Sequence, residues 1–359
     1  MDFSNSKERE VHGVAHFPVV LGAPGIGKWH STERSNVDTM AFSPVIIGSE
    51  RSEVGLTLGM NILRRGGSAL DAVEATIRKC EDNLDDVFLG TGGLPNAQGV
   101  VELDASIMVG STRAFGAIGA MKNYPNPISI ARRVMEVLPQ HCLLVGEGAE
   151  LFAREQGFET ADLLTDASRR RYREGLKPSP MSLEGENTVA QEGDELYRLT
   201  ALELVERLGP PEGMYGTVNI IALDMYGELV TGVSTSGYPW KYPGRVGDSS
   251  IPGCGNYADV RYGAAACTGR GELSMRVGGA RSVVEGLKAG LSPVDACLVM
   301  LNEAGKLPDP YRAELRTLYL TPDGRHAAVA GQSTATYNVM NVESTGVECL
   351  PRRQFEIGQ

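Results

Sequence analysis

The sequence predicts an α+β fold in which two sheets pack together with helices outside them. Three observations point to it. Strands and helices alternate in the first part of the 359-residue chain. After residue 217, hairpins come first and helices follow. A stretch of linker composition lies between the two parts. Hydrophobic residues make up 42% of the chain and charged residues 22%, the balance of an ordinary globular protein with a substantial core.

Residues 1–43, rich in Gly, Pro, Ser and charge, form an N-terminal extension to which the sequence assigns no role. Pro44-Val45-Ile46-Ile47-Gly48 reads as a buried strand. Glu53 to Arg65 reads as a helix with Val54, Leu58 and Ile62 on its apolar face, stopped by Gly66-Gly67. Ser68-Ala69-Leu70-Asp71 forms a capping box with Asp71 in place of the usual Glu, opening a helix that runs to about Asp82. Gly90 to Asn96 is a loop, and Val100 to Met108 is a strand with alternate apolar positions. Ile128 to Leu138 and Glu147 to Gln156 read as helices. Residues 166–212, with Arg169-Arg170-Arg171 and several Pro and Gly, read as a mobile linker holding one helix at Leu196 to Arg207. Val218 to Leu223 and Leu229 to Thr235 form a hairpin across the turn at Asp224 to Gly227. Ser274 to Leu287 reads as one helix, and Ser292-Pro293 starts another, with Ser as N-cap and Pro at the first helical position. Leu315 to Leu320 and His326 to Ala330 close the chain as a last hairpin.

Bulk properties exclude several function classes. A net charge of −11 argues against general nucleic-acid binding, which uses basic surface to neutralise phosphates. No apolar run approaches the roughly 20 residues that span a bilayer. The apolar piece Phe17 to Leu21 is too short for a signal-peptide core, so a cytoplasmic location is expected. Six scattered cysteines without a CxxC pair read as free thiols. Five histidines without a ligand-spaced pair give no zinc site, and no metal is expected.

The chemistry concentrates after Gly216. Thr217 heads an apolar strand, behind a breaker-rich stretch. A cut before it would give this threonine a free α-amine beside its own hydroxyl, so that a weak nucleophile carries its own general base, with an unperturbed pKa near 8. Gly216 permits the strained backbone that an N-to-O acyl shift needs. Two hydroxyl-rich segments follow, Ser234-Thr235-Ser236-Gly237 and Cys267-Thr268-Gly269. Between them lies Gly244-Arg245-Val246-Gly247-Asp248-Ser249. A guanidinium at Arg245 suits a carboxylate and a carboxylate at Asp248 suits an ammonium.

The order and spacing of these segments resemble the N-terminal-nucleophile amidohydrolases of the glycosylasparaginase and isoaspartyl-peptidase/plant-type asparaginase family. Gly244 to Gly253 is the most specific match; Gly66 to Glu74 and Leu143 to Ala149 extend it, and the resemblance covers about Pro44 to Ala296. It implies a four-layer αββα sandwich and cleavage between Gly216 and Thr217 into a large chain, 44–216 with the extension before it, and a small chain, 217–359. It implies Thr217 as nucleophile, Thr235 as the hydroxyl that tunes it, and Thr268 and Gly269 as oxyanion donors. Arg245 and Asp248 would hold the α-carboxylate and α-amine of an aspartyl substrate. No cofactor is implied, and a homodimer of processed protomers is expected.

Three departures bear on the substrate. Glycosylasparaginases usually read Asn-Thr-Trp-Pro-Phe after the first strand, with the tryptophan holding substrate; here Gly48-Ser49-Glu50-Arg51-Ser52 puts Glu50 near that place. Gly216 stands where glycosylasparaginases often carry aspartate. Asn219 replaces the glycine two residues after the nucleophile. Glu50 and Asn219 are therefore candidate substrate-binding residues, and a non-aspartyl amide is the alternative substrate. Gly22-Ala23-Pro24-Gly25-Ile26-Gly27-Lys28 fits a phosphate-binding loop, the rival reading. Trp29 replaces its Ser or Thr, and no helix-forming run follows. A non-catalytic relative and a binding module for acidic amino acids through Arg245 are further rivals.

Overall fold

The computed structural model describes residues 42–175, 199–208, 216–311, 314–331 and 335–355. The loop Gly22 to Lys28 lies outside them. The chain is a mixed α+β structure. Its strands are β1 (Val45–Gly48), β2 (Leu103–Val109), β3 (Phe115–Met121), β4 (Leu143–Val145), β5 (Val218–Leu223), β6 (Leu229–Thr235), β7 (Asn256–Asp259), β8 (Gly263–Gly269), β9 (Leu315–Leu320), β10 (His326–Ala330), β11 (Thr336–Asn341), β12 (Glu348–Pro351) and β13 (Arg353–Gln354). They form an eight-stranded sheet, β12-β11-β1-β5-β6-β2-β3-β4, and a five-stranded sheet, β13-β10-β9-β8-β7. The helices are α1 (Glu53–Arg64), α2 (Ala69–Glu81), α3 (Pro127–Val137), α4 (Gly146–Glu155), α5 (Asp166–Gly175), α6 (Ala201–Leu208), α7 (Gly271–Val277), α8 (Gly279–Lys288) and α9 (Pro293–Gly305).

Three apolar clusters organise the core. One joins α1 to α4 with alternate residues of the larger sheet, including Ile46, Ala105, Ile107, Val218 and Ile220. The second lies between the sheets, where Ile47, Ile221 and Leu223 meet Ala264, Ala266, Leu318 and Leu320. The third joins the smaller sheet, through Ala265, Cys267 and Tyr319, to α7, α8 and α9. Strand alternation thus assigns each residue a side.

The helix caps follow the sequence. Ser68 Oγ accepts from Asp71 N at 3.1 Å, and Ser292 Oγ accepts from Asp295 N at 3.2 Å, with Pro293 in the first turn. The hairpin of β5 and β6 has the expected spans, and its register sets Val218 opposite Ser234 and Leu223 opposite Leu229.

Other expectations are corrected. The buried face of α1 is Gly55, Leu56, Gly59, Met60 and Leu63, while Val54 and Leu58 are exposed. The cause is close packing on α2: a Cβ at Gly55 would run into the carbonyl of Thr76, and one at Gly59 into its hydroxyl. β2 starts at Leu103, three residues later than expected. Helix α5 occupies Asp166–Gly175, where linker composition was read; Ser168 N bonds Thr165 Oγ1 at 3.2 Å in its first turn. Helix α6 falls near the expected one, and Leu196 lies outside the described residues. The helix read from Ser274 to Leu287 is two helices, because Gly278 turns left-handed with φ 61°. The hairpin of β9 and β10 is not the last: β11 pairs with β1 beyond it. β8 carried no strand signal because alanines lack bulk, yet they let the sheets approach.

Gly55→Ala is expected to destabilise the protein by about 1–3 kcal/mol through overpacking against the Thr76 carbonyl. Val54→Ala should change stability by less than about 0.5 kcal/mol. Denaturant midpoints of the two variants check both.

Candidate active site

Alternation builds the site. On β5, Ile221 and Leu223 face the other sheet, so Asn219 and Thr217, at the same parity, open on that side. On β6, Leu229 faces the other sheet and Thr235 shares its parity. From the smaller sheet, Ala264 and Ala266 point back, and Thr268 follows them. Three threonines on three strands therefore converge at one end of the space between the sheets.

Two cavities meet at Thr217. The first is lined by Gly216, Thr217, Thr235, Tyr238, Arg245, Asp248 and Gly269, among others. The second is lined by Glu50, Arg51, Thr217, Thr268, Gly269, Glu314 and Arg316. Of the residues singled out from the sequence, only Asn219 lines neither. It is fully buried, and its Nδ2 donates to Thr268 Oγ1 and, at 2.8 Å, to Cys267 O. Since the Thr268 hydroxyl accepts from Asn219, its own proton is left to donate elsewhere.

Gly216 and Thr217 are held by hydroxyls. Thr235 Oγ1 donates to Gly216 O and accepts from Gly237 N at 2.9 Å. Ser49 Oγ donates to Thr217 O at 3.0 Å and accepts from Asn219 N at 2.9 Å. Phe88 packs so closely on Gly216 that a Cβ there would collide with its side chain. Gly269, at φ 111°, lies against the Glu314 carbonyl, where a side chain would also collide.

Arg245 is held by Glu272, with Nε donating to Oε1 at 2.9 Å, and its guanidinium lies 4.5 Å from the centre of the Tyr238 ring. Glu272 also pairs with Arg270 at 2.8 Å. Burial pushes the Glu272 carboxyl up, but Arg245 and Arg270 hold it below its usual value. Asp248 is buried, and among the described residues its Oδ2 has no hydrogen-bond partner. Burial pushes its pKa up to about 7, against the opposing charge of Arg245.

Glu50 is not a free acid. Arg316 reaches its Oε1 at 3.0 Å, and Arg352 bonds both oxygens, at 3.0 and 3.1 Å. Arg352, whose side chain is fully buried, also donates to Thr336 O and Thr317 O. Arg51 pairs with Asp86 at 2.9 Å and stacks on Phe88 at 4.3 Å. Sequence reasoning missed Ser49, Phe88, Glu272, Arg316 and Arg352, which carry no local motif and act through contacts distant in sequence. Among the described residues no group of three or more His, Cys, Asp or Glu is arranged to hold a metal ion, and no helix is long and apolar enough to cross a membrane.

A strand-head threonine stands where two cavities meet, and comparison with known proteins gives the family. Residues 50–342 match the family described as Asparaginase. The chain is 39% identical over 236 residues to N(4)-(β-N-acetylglucosaminyl)-L-asparaginase of Elizabethkingia miricola, covering 66% of this chain and 62% of that protein. It is 35% identical over 269 residues to the isoaspartyl peptidase/L-asparaginase of Bos taurus, covering 70% and 79%. It is 37% identical over 268 residues to the plant-type L-asparaginase of Thermococcus kodakarensis, covering 74% and 81%. The chain belongs to the asparaginase family, hydrolases of the N-terminal-nucleophile type.

Arg352 lies beyond the family match yet anchors Glu50 at the second cavity. Arg352→Met is expected to cost about 2–4 kcal/mol, because it takes the donor from Glu50 Oε2 and from the Thr317 and Thr336 carbonyls, leaving Glu50 only its Arg316 contact. Glu50→Gln, which keeps one acceptor, should cost less. Chemical denaturation of the two variants checks the order.

Proposed function

We propose that the chain is a self-processing amidohydrolase that cleaves a side-chain amide of the β-aspartyl type, such as N4-glycosylated asparagine, asparagine or a β-aspartyl peptide, through an acyl-threonine. The observation that carries this reading is the pair in the first cavity: Arg245, and a buried Asp248 whose Oδ2 lacks a partner, both beside Thr217. A buried carboxylate oxygen left unpaired is costly, and a substrate ammonium would satisfy it.

In this reading the Thr217 hydroxyl first attacks the Gly216 carbonyl, which the Thr235 hydroxyl polarises. The peptide nitrogen leaves as the new α-amine, and water hydrolyses the ester, releasing residues 1–216 from 217–359. Thr217 Oγ then attacks the substrate amide, with its own amine taking the proton. Thr268, oriented by Asn219, and the Gly269 backbone N–H stabilise the oxyanion. The leaving amine departs and water frees the enzyme. Arg245 and Asp248 hold the acyl part in the first cavity, and the second cavity receives the leaving group. The three core clusters support a four-layer αββα sandwich around this site. A homodimer of processed protomers in the cytoplasm belongs to the same proposal.

A non-aspartyl amide is the second reading, favoured by the charged wall of Glu50, Arg51, Glu314 and Arg316 in the second cavity. Side-by-side assay of processed protein on glycosylated asparagine, β-aspartyl dipeptides and asparagine separates the two. Turnover of at least one is expected; inertness toward all three contradicts the aspartyl reading.

The pKa of Asp248 sets a pH dependence. The carboxylate that receives an ammonium forms above about 7, so kcat/KM should fall with protonation as pH drops below that value. The Thr217 amine adds its own limb, which an activated ester lacking an α-amine reads separately. In the empty site the sign for stability is opposite. A carboxyl raised from 3.8 to about 7 stabilises the fold at low pH, and that contribution is lost as pH rises through about 7. Profiles of kcat/KM for asparagine and for the ester, with Asp248→Asn as control, check the assignment.

A further inference from the structure

The loop that carries Arg245 and Asp248 is gripped from below by one strand. Glu102, just before β2, and Asp104 and Ser106 within it stand at alternate positions on the side facing the other sheet, and all three are buried. Gly244 N donates to both carboxylate oxygens of Glu102 at 3.1 Å. Gly247 N donates to Asp104 Oδ2 at 3.0 Å. The Ser106 hydroxyl donates to Ser249 O. These three points fall on either side of Arg245 and of Asp248.

Asp104 is the central point. Its Oδ1 accepts from Ala120 N at 2.8 Å. Pairing of β2 with β3 shifts register between Leu103 and Ala105, and Ala120 has φ 47°, a left-handed conformation unfavourable for a residue with a Cβ. Beside it, Gly119 leaves the space that Val246 of the loop fills, since a Cβ there would crowd the Val246 methyls. On β6, Thr235 is the register partner of Asp104. The same carboxylate thus ties a strained bulge to the loop, one strand away from a residue of the first cavity. Lys241, also fully buried, donates to Glu102 O at 3.2 Å; burial pushes its pKa down, against the opposing charge of Asp104.

We propose that Asp104, with Glu102 beside it, is a positioning residue for the Arg245–Asp248 pair: its buried carboxylate clamps the Gly247 N–H to the bulge at Ala120 and so fixes where the guanidinium and the second carboxylate stand. Asp104 lines neither cavity at Thr217 and acts only through the loop. The inference rests on the reading of Arg245 and Asp248 as the substrate-holding pair.

The test uses the full, self-processed chain carrying Asp104→Asn, which puts an amide where two N–H groups need acceptors. Asparagine hydrolysis should show KM raised about tenfold with kcat changed less than about threefold, the size expected for one misplaced charge-assisted contact. Acylation of Thr217 by p-nitrophenyl acetate, which has neither α-amine nor α-carboxylate, should keep the wild-type rate. Hydrogen exchange at the Gly247 amide should rise. Glu102→Gln, which keeps one acceptor for Gly244 N, should give a smaller KM effect, and it carries the same test should Asp104→Asn not fold. Unchanged KM with unchanged exchange overturns the proposal, and so do equal losses toward asparagine and the ester, the mark of a general defect. A wild-type enzyme that the ester acylates but that neither binds nor cleaves asparagine contradicts the aspartyl reading instead. Exchange at Gly247 then decides the role of Asp104 by itself.

Discussion

The two-residue alternation of β5 is the constraint on which the site depends. One face of this strand must bury Val218, Ile220 and Ala222 against helices, and the other must bury Ile221 and Leu223 against the second sheet. A slip of one residue would exchange the faces. Pairing with β1 on one side and β6 on the other prevents it. Thr217 and Asn219 therefore open toward the second sheet, where β8 brings Thr268. The core fixes the direction of Thr217, and the polar end of the inter-sheet space follows from it.

Charge in this region is buried rather than displayed. Asp104, Lys241 and Asp248 have little or no exposure, and Arg352 is enclosed with Glu50. Buried ion pairs contribute little net stability, because desolvation offsets most of the attraction. Their effect here is geometric. Glu272 holds Arg245, Arg352 holds Glu50, and the carboxylates of Glu102 and Asp104 hold the loop backbone, so the walls of the two cavities are tied down by buried contacts. Asp248 and Glu314 are the exceptions, each with one buried carboxylate oxygen that has no hydrogen-bond partner among the described residues.

Local chemistry was legible in the sequence where one segment carries the whole signal. The β5–β6 hairpin declares itself through apolar strands around a turn in which Asp224 Oδ1 accepts from Tyr226 N and Glu228 N. Ser68 and Ser292 announce helix starts. The residues from Gly216 to Gly269 that suggested amide chemistry do surround Thr217, and the family is the one the motifs suggested. What was not legible depends on partners far along the chain. Alanine-rich β8 is set by its neighbours β7 and β9, with the larger sheet on one face and helices on the other. The buried face of α1 is set by glycines against Thr76, which a hydrophobic pattern does not register. The bonds from Arg352 to Glu50 and from Gly247 to Asp104 join distant segments without any local motif.

The measurement that bears most directly on this account is the intact mass of the purified chain beside Thr217→Ala. Two fragments, residues 1–216 and 217–359, are expected from the wild type and one uncut chain from the variant. A wild-type chain that stays whole over days and is inert toward amides would contradict it, since Thr217 would then have no free amine and no role as nucleophile.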